Sequence, residues 1–182
     1  MEIITISDEA KRGIAALCNK AVVLEYDFIL NYPRIIDHIR NFEHIIDEQL
    51  LKDIELLGLE SLGHFSKVEK IITSLGGKMD WMANMLPRLV GVEDMLGMQL
   101  AKEREACNLY TESRQIALNN KTSVKVGGFI NNLLGKGITE LDILPLDIIV
   151  NDLDRLISEE ERHARIAEDI IATHKSIISK AD

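Results

Sequence analysis

Four stretches of this chain repeat apolar residues at alternating steps of three and four positions, which is the spacing of one face of an α-helix. These stripes lie near residues 18–36, 50–75, 96–117 and 149–174. The composition agrees, because 46% of the residues are hydrophobic but only 4% are aromatic, and three are proline. A length of 182 residues favours one domain, so we expect a single all-α domain over residues 1–182, a four-helix bundle.

The residues between the stripes predict where the first two helices begin and end. Ser7 offers an N-cap for the first helix, and Pro33 is expected to kink or end that helix. The second helix is expected over about residues 42–75, where Gly76 and Gly77 stop it.

Two longer connections precede the third and fourth helices. Residues 78–91 can carry the chain along the bundle to a parallel third helix over residues 92–119. An insertion over about 120–144 follows, rich in glycine, in which we expect turns with at most one short helix. Pro145 can open the fourth helix as a first-turn residue, and this helix should end near Lys180.

Charge, termini and cysteines exclude several classes of protein. A net charge of −9 makes nucleic acid an unsuitable partner and favours cations instead. The first residues show no basic start followed by an apolar run, and no apolar stretch of about 18 residues occurs. We therefore expect a cytoplasmic protein without a membrane span. Cys18 and Cys107 form no Cys-x-x-Cys, which excludes a disulfide framework and a cysteine-only metal site.

Each stripe is interrupted by side chains that bind metals, where a purely structural core would be apolar. Glu25 on the first helix and Glu103 on the third are each followed, seven residues later, by a tyrosine, Tyr32 and Tyr110. Seven residues are about two helical turns, so each glutamate shares a face with its tyrosine. His64 interrupts the second stripe in the same way.

The fourth stripe carries Glu160 and His163, a Glu-x-x-His pair one turn apart. Burying a carboxylate costs several kcal/mol unless it is paired. Arg114 is the only basic residue on these stripes, and it lies three turns from Glu103. A pair of divalent cations solves the problem, because carboxylates and imidazoles then become ligands. The sequence therefore predicts a metal site between the helices.

This pattern of ligands resembles the ferritin-like superfamily, above all bacterioferritin and rubrerythrin. The segment VEDMLGMQLAKE, residues 92–103, looks like the start of the third bacterioferritin helix, and SLGG at the end of the second helix is also similar. The resemblance covers most of residues 15–119 and 146–175. It implies a ferritin-like bundle holding a non-haem iron pair, two ions per chain, although the ligand set does not choose between iron and manganese.

The resemblance also implies a distribution of ligands over two metal ions. Glu25 and His64 would hold one ion, Glu103 and His163 the other, and Glu160 would bridge them.

One departure from the family concerns the second helix, which should carry a second Glu-x-x-His. The residue three before His64 is Ser61, while Glu60 lies four before it. Glu60 can act as the missing ligand if the helix is locally over- or underwound, as at a π-bulge. Otherwise three carboxylates and two imidazoles hold two metals loosely, or one. Leu62 stands where bacterioferritin has its haem-binding Met, so we expect no haem.

Five neighbouring residues receive predictions of their own. Tyr32 is expected, like Tyr110, to hydrogen-bond a carboxylate of the site. Cys107 lies one turn past a predicted ligand on the inward stripe, where it is either a core filler or a redox-active thiol. Glu159 and Arg162 are expected to face solvent.

Carboxylate-bound iron pairs react with dioxygen or peroxide, so the resemblance implies a ferroxidase or a rubrerythrin-like peroxidase. The alternative is a redox-inactive ferritin-like protein that binds metal structurally or acts as an oligomeric scaffold. We expect a homo-oligomer, a dimer or larger.

Overall fold

Four long α-helices account for most of the described chain. The computed structural model describes residues 2–43, 46–80, 91–125 and 146–181. In chain order, its elements are β1 (Glu2–Ile6), α1 (Asp8–Phe42), α2 (Glu48–Ser74), α3 (Val92–Asn119), β2 (Lys121–Lys125) and α4 (Leu146–Ala181). The predicted all-α class is confirmed. No helix among these residues is long and apolar enough to cross a membrane.

The helices pack as a ring of four around one apolar core. The neighbours around the ring are α1 with α2, α2 with α4, α4 with α3, and α3 with α1. Residues further along α1 meet earlier residues of both α2 and α3, so α1 is antiparallel to each of them. α2 and α3 therefore run parallel, which requires the predicted crossover along the bundle. Residues 81–90 of that crossover lie outside the described part of the chain.

The first helix is longer than the sequence predicts. Ser7 is its N-cap, as expected, and accepts a hydrogen bond from the Ala10 amide. The helix continues through Pro33 to Phe42. A proline removes one backbone hydrogen bond, but Tyr32 and Ile35 beside it are fully buried, and this packing holds the helix together. Consequently α2 begins only after Asp47, which caps it, and not near residue 42.

The end of α2 follows the prediction. Gly76 has a φ of 74°, a conformation that glycine adopts without strain. The Gly77 amide donates to the Ile72 carbonyl over 2.9 Å. A Cβ on Gly77 would lie 3.0 Å from that carbonyl oxygen and 3.1 Å from Ala15 Cβ, so the chain passes close to α1 here.

A two-stranded antiparallel sheet closes one end of the bundle, and the sequence did not predict it. β1 pairs with β2 in a register that places Ile4 opposite Ser123. The expectation of turns with at most one short helix after residue 120 is therefore wrong for Lys121–Lys125. Both strands are only five residues long, and their pairing is non-local, so local patterning carries little signal. The remainder of the insertion, with Pro145, lies outside the described residues.

Candidate metal centre

Five side chains with metal-binding atoms meet between the helices, and they are shielded from solvent. Glu25, Glu103, Glu160 and His163 are fully buried, and His64 is 2% exposed. They come from all four helices. No Lys or Arg is buried in the part of the chain that the structure describes, so no cationic side chain is buried with these carboxylates.

Two tyrosines bind the carboxylates that lie on α1 and α3. The Tyr110 hydroxyl donates to Glu25 Oε1 over 2.7 Å, and the Tyr32 hydroxyl donates to Glu103 Oε1 over 2.5 Å. Each tyrosine bonds the glutamate of the facing helix, because α1 and α3 are antiparallel and their matched spacings lie in register. Burial and then the charge of the bonded glutamate raise the pKa of both phenols well above the ordinary value. Both tyrosines therefore remain hydrogen-bond donors at neutral pH.

The two histidines turn their Nδ1 atoms toward the buried carboxylates. His64 Nδ1 lies 2.6 Å from Glu160 Oε1 and 3.7 Å from Glu25 Oε2. His163 Nδ1 lies 3.5 Å from Glu103 Oε2. The imidazole rings stack with their centroids 4.9 Å apart. Among the described residues, His64, Glu160 and His163 form a group whose ligand atoms all lie within 4.8 Å of one another.

His64 is held on its outer side by a carboxylate that the sequence placed in solvent. Its Nε2 lies 3.0 Å from Glu159 Oε2, and Lys67 Nζ contacts the same oxygen at 2.5 Å. A carboxylate only accepts, so Nε2 is positioned to donate to Glu159 while Nδ1 faces inward. The Glu159 side chain is only 23% exposed, so that expectation is wrong. The sequence signal available for Glu159 was its position directly before Glu160, a predicted ligand.

Glu60 takes the equivalent place beside His163. His163 Nε2 lies 2.9 Å from Glu60 Oε2, which Arg162 Nη2 also contacts, at 2.6 Å. Because His163 Nδ1 faces Glu103, this oxygen lies on the opposite side of the ring from the buried carboxylates. α2 is a continuous α-helix here, with no bulge that turns Glu60 inward. That Glu60 is a ligand stays a prediction, while the contacts give it the place of a positioning carboxylate. Arg162, expected in solvent, is 39% exposed.

The predicted departure at Ser61 leaves a small hydroxyl on the buried face of α2. Ser61 is fully buried, one turn before His64. Its hydroxyl donates to the Leu57 carbonyl of its own helix over 2.9 Å. α2 therefore brings no carboxylate inside at this position, and the buried cluster has three carboxylates.

A small cleft reaches the histidine side of the cluster from solvent. It lies between α2 and α4 and has a volume of about 180 Å³. Its lining residues are Glu60, Gly63, His64, Lys67, Glu159 and Arg162. The cleft is thus bordered by the two carboxylate–cation pairs that hold the histidines.

The electrostatics of the cluster show an excess of negative charge. Burial and then the charge of Glu25 raise the pKa of Glu160 well above its ordinary value. Burial also acts to raise the pKa of Glu103, but the nearby imidazole of His163 and other groups outweigh it, and the net shift is downward. Burial acts to lower the pKa of His163, yet Glu103 and Glu60 raise it overall. The carboxylates therefore compete for protons or other cations.

The unpaired atoms of the cluster fit metal ions. No hydrogen bond within the described structure satisfies these buried atoms: Oε2 of Glu25, Oε2 of Glu103, both carboxylate oxygens of Glu160, and Nδ1 of His64 and of His163. His64 Nδ1 and Glu160 Oε1 lie 2.6 Å apart, a separation that requires a proton or a cation between them. Carboxylate oxygens and imidazole nitrogens are common ligands of divalent iron and manganese.

Cys107 does not lie on the inward face of α3, contrary to the sequence-based prediction. It is only partly buried, whereas Ala106 and Tyr110 beside it are buried completely. The inward face of α3 includes Gln99 and Ser113. Because both residues are polar, the apolar pattern of the sequence did not assign them to this face. Burial and then the charge of Glu161 raise the pKa of the Cys107 thiol, which disfavours the reactive thiolate.

Comparison with known proteins identifies the fold. Neither a protein-family model nor a curated protein matches the sequence. Among solved structures, a ferritin-like di-iron-carboxylate protein from Bacillus anthracis superposes with a TM-score of 0.64 at 18% identity. That match covers 89% of this chain and 97% of the other.

Two bacterioferritins also match. The protein from Desulfovibrio desulfuricans, solved with its di-iron site in different catalytic states, gives a TM-score of 0.65 at 15% identity, covering 93% of this chain and 84% of its own. The protein from Rhodobacter capsulatus, with a metal-free dinuclear site and haem iron, gives 0.59 at 20% identity, covering 90% and 86%. The bundle therefore has the ferritin-like fold that the sequence predicted.

Proposed function

We propose that this bundle binds a pair of divalent metal ions, with iron as the expected metal, and carries out oxidative iron or peroxide chemistry. The observation that carries the proposal is the convergence of three buried carboxylates and two inward-facing Nδ1 atoms from four helices. No buried Lys or Arg balances them among the described residues. The similarity of the fold to that of proteins with di-iron sites supports iron as the metal.

The contacts support a distribution of the ligands over two ions. Glu25 and His64 would hold one ion, Glu103 and His163 the other, and Glu160 would lie between them. An iron pair bound there supplies two electrons, one from each ferrous ion, for the reduction of dioxygen or peroxide.

The protein contributes positioning and shielding to this chemistry. The tyrosine hydroxyls of Tyr32 and Tyr110 each occupy one oxygen of a glutamate, so the second oxygen stays available to a metal. Glu159 and Glu60 fix the imidazole rings with Nδ1 inward, a constraint that raises ligand basicity and metal affinity. The buried surroundings keep bulk water from the ligands.

Single-turnover oxidation of added ferrous iron tests the proposed chemistry. Stopped-flow absorbance would follow ferric iron after anaerobic loading in a buffer that contains formate and mixing with dioxygen or peroxide. We expect the wild type to oxidise iron faster than buffer alone, and the Glu160→Gln variant to approach the buffer rate. Glu161→Gln is the matched control, because Glu161 is the exposed neighbour on the same helix. Wild-type oxidation no faster than buffer with either oxidant would contradict the proposal.

A redox-inactive metal-binding or scaffold protein is the second candidate, and the buried Ser61 favours it. Four-helix bundles that bind two metal ions place four carboxylates at the site, whereas this cluster has three. Such a cluster can bind metal without oxidising it. This candidate predicts metal binding together with iron oxidation at the buffer rate.

A further inference from the structure

The buried cluster does not carry enough negative charge for two divalent cations. In the two-metal bundle arrangement, one Glu from each of two helices and a Glu-x-x-His from each of the other two provide four carboxylates. Four carboxylates neutralise two divalent cations. Among the described residues, this cluster contains three buried carboxylates, Glu25, Glu103 and Glu160, so two such ions would leave one net positive charge at the site. A buried uncompensated charge is strongly unfavourable.

The described residues supply no replacement for the fourth carboxylate. The Ser61 hydroxyl donates to the Leu57 carbonyl of its own helix. Glu60 contacts His163 from the outer side of the ring and is held there by Arg162. Glu159 is held in the same way, by Lys67, beside His64. Both outer carboxylates are therefore already engaged as partners of a histidine and a cation.

We propose that the centre takes up its second divalent ion only together with a small carboxylate anion, which completes the ligand set where Ser61 brings no carboxylate. The inference rests on the proposed two-metal function and deepens it. The first ion leaves the cluster with excess negative charge and binds without help. The second ion reverses that sign, so it and the anion stabilise each other. Because such coupling is reciprocal, the anion also binds tightly only to protein that holds metal.

A cleft open to solvent reaches the outer side of the histidines. The cleft between α2 and α4 has a volume of about 180 Å³ and borders the outer edge of His64. Gly63 lines this cleft, and a Cβ added there would meet no atom within 4 Å, so the cleft is not filled at that point. The remaining lining residues are two cations and two carboxylates: Lys67, Arg162, Glu60 and Glu159.

Cobalt titration tests this coupling without relying on activity. Metal-free protein is titrated with Co²⁺ in a buffer without carboxylates, with and without formate, and followed by calorimetry and by the visible absorption of bound Co²⁺. We expect one tightly bound Co²⁺ per chain without formate and two with it. Formate should tighten the second ion by about 5- to 150-fold, the usual range for coupled sites.

Two variants at one position separate a missing ligand from a general ionic effect. Ser61→Glu supplies the carboxylate, so it should bind two Co²⁺ ions without formate and lose the response to formate. Ser61→Ala removes only a hydroxyl and should keep the wild-type dependence. If the glutamate variant fails to fold, the wild-type titrations still decide the question.

The outcomes distinguish this inference from the proposed function. Two Co²⁺ ions in the wild type without formate, or one ion under both conditions, would overturn the coupling and leave metal binding intact. Binding of no Co²⁺ under either condition would overturn the proposed function and this inference with it.

Discussion

Glu160 contributes to the pH dependence of the stability of the metal-free protein. Its ordinary pKa is 4.5, and in the folded protein burial and then the charge of Glu25 raise the pKa well above that value. The folded state therefore binds this proton more tightly than the unfolded state. The resulting stabilisation is complete below about pH 4.5 and is lost as pH rises toward the folded pKa. At neutral pH, Glu160 therefore destabilises the folded metal-free protein.

The Glu160→Gln variant tests this account. Glutamine keeps the shape without the ionisable group, so at pH 7 the metal-free variant should have a larger free energy of unfolding than the wild type. The difference should shrink at about pH 5. Urea unfolding at both pH values, with metal removed, measures it. A variant less stable than the wild type at neutral pH would show that Glu160 contributes a favourable contact that outweighs its burial.

Glu60 illustrates the limit of prediction at the residue scale. Its spacing from His64 left open whether it reaches the site, and the structure places it outside the His163 ring. As a positioning carboxylate, it should affect metal affinity without changing the number of ions. We expect Glu60→Ala to weaken metal binding about 10- to 100-fold at unchanged stoichiometry. Equilibrium titration measures this, with exposed Glu69→Ala on the same helix as control. Loss of a whole ion per chain would instead establish Glu60 as a ligand.

At the scale of the elements, the close passage of the chain after α2 makes Gly77 sensitive to substitution. A Cβ on Gly77 would press on the Ile72 carbonyl and on Ala15. We expect Gly77→Ala to destabilise the protein by about 1–3 kcal/mol, as overpacking does. Gly97→Ala is the control, because Gly97 lies inside α3 with open space around it and should stabilise by about 0.5–1 kcal/mol. Thermal unfolding of both compares them, and equal effects would contradict the predicted contact.

Local sequence signals located some element boundaries and missed others. Capping at Ser7 and the glycines after α2 act through neighbouring residues, so they were readable. The continuation of α1 through Pro33 depends on the burial of Tyr32 and Ile35, which only the assembled bundle provides. The pairing of β1 with β2 joins segments more than a hundred residues apart, beyond the reach of local patterns.

On the scale of the whole molecule, the two halves of the bundle match at the metal-binding positions and differ at one place. Glu25 with Tyr32 corresponds to Glu103 with Tyr110. The α2 segment from Glu60 to His64 corresponds to the α4 segment from Glu159 to His163. Periodicity and matched spacings were enough to predict the bundle and its inward-facing glutamates. They did not reveal the outer carboxylates, because contacts of Glu159 and Glu60 with the histidines depend on how α2 packs on α4. The homo-oligomer stays a prediction.

Iron content per chain tests the central claim most directly. Metal-free protein is loaded anaerobically with ferrous iron in the presence of formate, freed of unbound metal and analysed for elemental iron. The account predicts two irons per chain in the wild type and in the exposed control Glu161→Gln, and fewer than two in Glu160→Gln. Wild-type protein that retains no iron, or a Glu160→Gln variant that retains as much as the wild type, would contradict the assignment of this buried cluster as a metal centre.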